Sequence, residues 1–299
     1  MAQTIAAIEA GGTKFVLALA DETGRILVRT RIATTTPEET GAAMRAFFRT
    51  EAGRHGTIAG FGIGSFGPVV VNPAEPDYGT VTTTPKPGWS GFRYQDALAE
   101  FAVPMLVETD VNAAALGEWR AGAGRSCRTL AYTTVGTGIG TGVLQGGQPL
   151  SGMSHFEAGH VPVPHDRALD PFDGSCPYHG GCLEGLASGP AIRARWGRSL
   201  DHLGAEEAER IAGYLGDFAA MLVLMHMPER LIFGGGVMKA PGLIERLRRR
   251  TETRLAGYVD HARLTPGLAD YIVGPELGDE AGITGAVELG MRAAHIRSG

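Results

Sequence analysis

Apolar and polar positions change period several times along the first 120 residues, and each change marks an element. Ile5 to Ala10 is a short apolar run and Phe15 to Ala20 a second, with Gly11-Gly12-Thr13-Lys14 between them. Apolar runs of this length bounded by glycine predict buried strands. Asp21 to Gly24 makes a turn, and Ile26 to Ile32 alternates as a half-buried strand does. From Pro37 to Gly53 the spacing becomes helical, with Met44, Phe47 and Phe48 on one face. Ile58 to Gly64 predicts another buried strand. The segment Val69 to Trp89, rich in Pro, Thr and Gly, reads as a long functional loop. Met105 to Glu108 is a strand that ends at Thr109-Asp110, and Val111 to Ala121 continues as a helix.

The opening pattern then recurs. Thr129 to Val135 predicts a strand, Gly136-Thr137-Gly138-Ile139-Gly140 a glycine loop, Thr141 to Leu144 a strand and Gly146-Gly147 a turn. Glu206 to Met227 reads as one long helix stopped by Pro228. Leu231 to Phe233 is a strand entering Gly234-Gly235-Gly236, and Leu243 to Leu255 a helix. The last helix, Ala281 to Ala294, carries small residues at Gly282, Gly285, Ala286 and Gly290, which permit close packing, as at a hinge between lobes. A strand, glycine loop, strand, turn and strand occurring twice predicts two α/β domains of actin-like, ribonuclease-H-like architecture around an interdomain cleft. The expected division is 1–118 with a returning C-terminal helix at about 281–299, and 119–280. Two facing glycine hairpins would grip a polyphosphate from both sides.

Composition narrows the partners. The 299 residues are 43% hydrophobic and 20% charged, ordinary for a soluble globular protein. A net charge of −5 argues against nucleic acid, because phosphate backbones need a basic face. No apolar run approaches the roughly 20 residues that span a bilayer, so no membrane partner is expected. Met1-Ala-Gln-Thr4 lacks a basic leader region, and three cysteines cannot build a disulfide framework; both suit the cytoplasm. Cys127 reads as a buried small side chain rather than a nucleophile. The 45 glycines form short clusters after apolar runs, where backbone must approach a ligand closely.

The richest chemistry lies in Glu157-Ala-Gly-His160 and Cys176-Pro-Tyr-His179-Gly-Gly-Cys182-Leu-Glu184. His160, Cys176, His179 and Cys182 supply two imidazoles and two thiolates, a complete tetrahedral zinc set with no position open for water. A zinc hydrolase is therefore excluded. Glu157 and Glu184 bracket the ligands, and a braced cluster of acceptors suits a polyhydroxylated ligand. Gly11, Gly12, Thr13 and Lys14 fit either a plain Gly-Gly hairpin or a phosphate cradle. A strand follows Gly136, Thr137 and Gly138, so a dinucleotide-fold fingerprint is the weaker reading there and a second phosphate hairpin the better one. Gly234, Gly235 and Gly236 suit close approach to a nucleotide. Asp110, on local sequence, is either an ordinary helix N-cap or a carboxylate placed to deprotonate an attacking hydroxyl.

These motifs, which span nearly the whole chain, resemble the ROK family of repressors, open reading frames and sugar kinases, and its fructokinase-like branch. The resemblance implies a sugar kinase fold and phosphorylation of a hexose by ATP, with D-fructose giving fructose 6-phosphate favoured over glucose, mannose or an N-acylhexosamine. It implies Asp110 as general base and sugar contacts from Glu157, His160 and Glu184, with Thr109 where relatives have Asn. His160 would also ligate the structural zinc. Nucleotide would sit on the 11–14 and 136–138 hairpins and at 234–236, with Mg2+ accompanying ATP. Glu9 stands where the family motif has Asp, and is a candidate magnesium ligand. His179 stands where many relatives have a third cysteine. Gly64-Ser65-Phe66-Gly67-Pro68 and Pro85-Lys86-Pro87-Gly88-Trp89 resemble branch loops lining the sugar side, making Ser65 a sugar-site candidate and Trp89 either a stacking platform or an exposed loop anchor. Relatives of this kind are commonly homodimers. The family's repressors carry an N-terminal helix-turn-helix, for which the four residues before the first strand leave no room, so a sugar-sensing regulator is the remote alternative.

Overall fold

The computed structural model describes residues 2–84, 86–198, 202, 204–264 and 267–296. Met1, Pro85 of the Pro-Lys-Pro-Gly-Trp segment and residues 297–299 of the expected C-terminal segment lie outside the described residues. In chain order the elements are β1 (Gln3–Ala10), β2 (Lys14–Ala20), β3 (Ile26–Ala33), α1 (Pro37–His55), β4 (Thr57–Ser65), a short α2 (Tyr94–Ala97), β5 (Met105–Thr109) and α3 (Asp110–Ala121). There follow β6 (Thr129–Val135), β7 (Ile139–Gln145), β8 (Gln148–Pro149), α4 (Leu183–Ala187), α5 (Gly189–Trp196), α6 (Ala205–His226), β9 (Arg230–Gly234), α7 (Leu243–Leu255), β10 (Ile272–Val273) and α8 (Ala281–Ile296). The chain divides into two compact units. One comprises Met1–Gly122, Pro149–His155 and Asp279–Gly299; the other comprises Ala123–Gln148 and Phe156–Gly278.

Each unit holds a five-stranded mixed sheet, ordered β3-β2-β1-β4-β5 in the first and β10-β9-β6-β7-β8 in the second. Read from the opposite edge, the second order is the first with each strand number raised by five. In the first, an antiparallel meander of three strands is extended by two strands parallel to its first member; in the second, β6 pairs antiparallel with β7 and parallel with β9, β10 runs parallel to β9, and β8 neighbours β7. The recurrence legible in the sequence is thus a recurrence of topology. Among the described residues, no helix is long and apolar enough to cross a membrane.

In the first unit the two faces of the sheet differ in residue size. Ile8, Phe15, Leu17, Leu19, Phe61 and Ile63 point to one face and build an aromatic-rich core with Met44 and Phe48 of α1. The opposite face presents Ala7, Val16, Ala18 and Ala20, and against these small residues lie Ile283, Ala286 and Val287 of α8. Strand glycines bring the helix closer still: a Cβ on Gly62 would overlap the Ala286 carbonyl, and one on Gly285 would overlap the Ala113 carbonyl of α3. The small face of α8 is therefore used within the first unit, between β1, β4 and α3. Parallel strands are stable only when covered on both faces, and α8 provides that cover.

The segment 69–89 is not the open loop its composition predicts. Val69 bridges Val81 and Thr80 bridges Arg93, while Val69, Val71, Val81, Tyr94 and Leu98 are buried in the large-residue core. Apolar residues scattered among prolines and threonines have no strand period, which is why the sequence pattern hid this small antiparallel excursion. The helices α4 and α5 also went unforeseen, being short and lying in a segment dominated by the Cys/His motif. In the second unit α6 buries Ile211, Leu215, Phe218 and Leu222, and its buried Asp217 accepts from Arg250 of α7 at 2.9 Å and from Arg254.

The close approach of α8 makes a direct prediction. Gly285→Ala should lower the melting temperature by about 2–5 °C, reflecting an overpacking penalty of ~1–3 kcal/mol. Gly213→Ala in α6, where an added methyl meets open space, should leave it unchanged or slightly raised. Equal melting temperatures for the two variants, measured by scanning fluorimetry, would contradict this packing.

Candidate functional site

In the first unit the register of the parallel strands gathers the chemistry. Glu9 pairs with Gly64 and Gly64 with Glu108; one step on, Ala10 pairs with Ser65 and Ser65 with Thr109. The carboxyl ends of β1, β4 and β5 therefore form one edge, and Asp110 follows directly as the first residue of α3. Thr109, not Asp110, is the N-cap: its hydroxyl accepts from the Asn112 N–H at 3.2 Å. Asp110 is exposed, and its Oδ1 accepts from the Val111 N–H at 2.8 Å, an acid in the first turn where the helix dipole favours negative charge.

Two further carboxylates stand beside it. Burial pushes the Glu9 carboxyl up to about 7; Lys14 opposes that rise, while Asp110 and Glu280 add to it. Glu9 Oε2 is buried without a hydrogen-bond partner, and a Cβ on Gly282 of α8 would stand 2.7 Å from its Cδ. A cation beside this oxygen would satisfy it, so the residue fits the metal role expected for it. Glu108, which sequence reasoning left without a role, is likewise pushed up to about 7 by burial, with Asn112 Nδ2 donating to it at 2.8 Å as a counterweight. Ser65 lies behind this edge rather than on it: it is fully buried, with its hydroxyl donating to the Phe66 carbonyl at 2.8 Å and lying 2.9 Å from the Tyr94 hydroxyl.

The hairpin between β1 and β2 exposes Gly12, Thr13 and Lys14. Gly11 is required by the turn, since a Cβ there would lie 2.9 Å from the Lys14 carbonyl, whereas a Cβ on Gly12 would meet nothing within 4 Å. The fold alone thus gives no steric reason for glycine at position 12; close approach by a ligand would. Trp89 is neither a stacking platform nor an exposed anchor. It is fully buried, its ring packs 5.4 Å from Phe15 and 4.7 Å from Phe92, and its indole N–H donates to the Thr35 carbonyl at 2.9 Å. The loop that carries it lies on the β1–β2 hairpin, through Lys86 and the Gly12 carbonyl.

In the second unit the Cys/His motif closes on itself. The ligand atoms of His160, Cys176, His179 and Cys182 all lie within 4.8 Å of one another. His160 Nδ1 stands 3.7 Å from Cys176 Sγ and 3.6 Å from Cys182 Sγ, and His179 Nδ1 stands 3.7 Å from Cys176 Sγ. Bond lengths of about 2.3 Å to sulfur and 2.0–2.1 Å to nitrogen put neighbouring atoms of a tetrahedron about 3.5 Å apart, so the cage fits a four-coordinate metal ion. His160 divides its ring: Nδ1 faces the thiols, and Nε2 lies 4.0 Å from Glu184 Oε1. The other Glu184 oxygen accepts from the Ile139 N–H at 2.9 Å, tying α4 to the hairpin between β6 and β7. Glu157 is exposed, and its carbonyl accepts from the His160 N–H at 3.0 Å. Gly159 between them is compelled, since a Cβ there would overlap the Ile139 carbonyl.

A second brace, invisible in the sequence, holds the segment between His160 and Cys176. The buried Asp170 accepts from the Tyr214 hydroxyl of α6 at 2.6 Å and pairs with Arg195 of α5 at 3.2 Å, while His165 Nε2 lies 2.9 Å from the Asp170 carbonyl. Its signal is one of three aspartates within eight residues, Asp166, Asp170 and Asp173, and spacing cannot distinguish the buried one from those of a surface turn. Of the remaining glycines, Gly136 and Gly236 face open space, while Gly138 is hemmed in at 2.7 Å by Glu184. Gly235 has φ +92, with Val135 backbone against it. The exposed Thr137 forms the tip of the hairpin, and Gly234 ends β9 with a Cβ position 2.7 Å from the Tyr132 hydroxyl.

Comparison with known proteins adds an independent line. A model of the ROK family matches residues 5–293. The fructokinase of Zymomonas mobilis is 44% identical over 293 residues, 96% of either chain. The ROK hexokinase structure from Thermus thermophilus aligns with a TM-score of 0.77 at 29% identity, covering 99% of this chain and 100% of that one. A ROK family glucokinase from Streptomyces griseus, solved with glucose and AMPPNP, aligns with a TM-score of 0.73 at 27% identity, covering 97% and 99%.

Proposed function

The chain belongs to the ROK family, and we propose that it is an ATP-dependent fructokinase that forms fructose 6-phosphate. The observation that carries the reading is the edge where Glu9, Thr109 and Asp110 meet beside the exposed Gly12-Thr13-Lys14 hairpin, in a chain most of whose length resembles a fructokinase. Phosphoryl transfer needs a carboxylate to take a proton and donors to hold phosphate, with little covalent chemistry from the protein. Asp110 accepts the proton of the attacking fructose hydroxyl as that oxygen bonds to the γ-phosphorus. The bond from the γ-phosphorus to the bridging oxygen breaks, and ADP leaves with that electron pair. Lys14 and the N–H groups of the hairpin balance phosphate charge, and Gly136, Thr137, Gly138 and Gly234 to Gly236 are assigned further nucleotide contacts. Mg2+ bound with ATP would neutralise phosphate charge, and Glu9 is the residue suited to hold it.

Glu157, His160 and Glu184 are assigned to sugar hydroxyls, with Thr109 contributing beside Asp110 and Ser65 supporting from behind. Zinc is assigned to His160, Cys176, His179 and Cys182, where its work is structural: with four protein ligands it activates no water. By holding His160 Nδ1 it would leave Nε2 to the sugar and fix the ring against Glu184.

Two outcomes are expected. Release of ADP from Mg·ATP should be fastest with fructose among fructose, glucose, mannose, N-acetylglucosamine and N-acetylmannosamine. A clear preference for another sugar would overturn the substrate, and no turnover with any of them in zinc-loaded protein would overturn the kinase reading. Elemental analysis should find about one zinc per chain, and Cys182→Ser should lose most of it together with fructose binding while retaining nucleotide binding. Full zinc occupancy in that variant would contradict the assigned cage.

A further inference from the structure

Lys86 has no role in the reading above, yet it makes an unusual contact. Its ammonium donates to the Gly12 carbonyl at 2.6 Å and to the Thr34 carbonyl at 3.2 Å, from a loop 74 residues further along the chain. The other carbonyls of this hairpin are also occupied. Gly11 O accepts from the Thr34 hydroxyl at 2.7 Å, Thr13 O from the Thr34 N–H at 3.0 Å, and Lys14 O from the Gly11 N–H at 3.0 Å. In a trans peptide the C=O and the following N–H point in opposite directions. Holding the Gly12 oxygen inward therefore aims the Thr13 N–H outward, and holding the Gly11 oxygen does the same for the Gly12 N–H. Both residues are exposed. A row of N–H groups facing one way is an anion-binding nest, whereas a carbonyl turned the same way would repel phosphate.

Glycine-flanked peptides flip with little steric penalty, so a nest at Gly11-Gly12 needs each oxygen pinned. The second unit solves the same problem with backbone. Gly136 O accepts from the Gly189 N–H at the start of α5 at 2.8 Å, and Gly138 O from the Gly136 N–H at 2.9 Å. In the first unit the corresponding donor is a charged side chain, which adds a positive charge behind the nest. The backbone of Lys86 is itself held: its N–H donates to the Thr84 hydroxyl at 3.3 Å, and its carbonyl accepts from the Trp89 N–H at 3.2 Å. Trp89 in turn is locked into the core behind Phe15.

We propose that Lys86 is a positioning residue for nucleotide phosphate, fixing the Gly12–Thr13 peptide so that its N–H, and not its oxygen, meets the ligand. The inference rests on the reading of the 11–14 hairpin as a phosphate site, and the two are separable by experiment. Steady-state kinetics and calorimetric titration with Mg·AMPPNP would be run on the zinc-loaded protein and on Lys86→Met, Lys86→Arg and Gly12→Ala. Lys86→Met should raise the KM for Mg·ATP and the Kd for Mg·AMPPNP about tenfold or more, as loss of a charge-assisted bond does. Its KM for fructose should stay within about twofold, and Lys86→Arg should recover most of the nucleotide affinity. Lys86→Gln, which keeps a neutral donor, serves if Lys86→Met does not fold, and should fall between them. If Gly12→Ala weakens nucleotide binding while Lys86→Met or Lys86→Gln does not, the Lys86 proposal is overturned alone. If Gly12→Ala leaves nucleotide binding unchanged, the hairpin reading fails and Lys86 with it. Equal rises in both KM values would mark Lys86 as a general structural support and overturn the proposal as well.

Discussion

Parallel pairing of β1 with β4, and of β4 with β5, is the constraint from which the rest of the first unit follows. It brings three chain segments to a common carboxyl edge, so that Glu9, Ser65 and Thr109 fall within one register step of one another, with Asp110 one residue beyond. Ligands of α/β sheets bind where strands end in this sense. The pairing exacts a condition: both faces must be covered, and on the small-residue face α8 does so together with α3, whose Ala113 lies against Gly64. Glycines on β4 and α8 let helix and sheet backbones approach more closely than any side chain would allow. The same approach buries the Glu9 carboxyl against Gly282 and raises its proton affinity. Packing at one end of the chain thereby tunes a site residue at the other.

The second unit holds its candidate site side chains by different means on the same topology. His160 sits on a long irregular segment that no strand or long helix fixes, and Glu184 on the short α4 that follows it. Two braces hold that segment instead, the Cys/His cage at one end and the buried Asp170 with Arg195 and Tyr214 in the middle. Glu184 then links that segment to the β6–β7 hairpin through the Ile139 N–H. Polyhydroxylated ligands are selected by fixed acceptors, and a braced carboxylate discriminates where a mobile one would adapt.

Most of the strands, and the repeat that relates the two halves, were legible in the sequence because buried strands and glycine turns leave a strong local period. The cage was legible too, since four ligands within 23 residues is a signal that spacing alone carries. What escaped were features set by tertiary context. Asp110 looked like a cap, but Thr109 takes that work because the backbone turns helical one residue earlier than expected. Trp89 and Ser65 looked available to ligand, yet both are sealed in the core by the excursion of residues 69–98, whose apolar residues have no period to betray them. Lys86 was placed on the sugar side by loop resemblance, and its contact with Gly12 depends on a fold-back that no local pattern encodes.

Asp110 is proposed to do chemistry at this edge rather than to shape it. Asp110→Asn keeps size, polarity and the first-turn position while removing the base, so binding and turnover can be read separately. Calorimetry should give Kd values for fructose and Mg·AMPPNP within about threefold of the unmodified protein, while kcat falls by about 10²–10⁴-fold, the usual contribution of a general base. A variant that binds both ligands and still turns over at near the original rate would contradict the assignment of the chemistry to this edge.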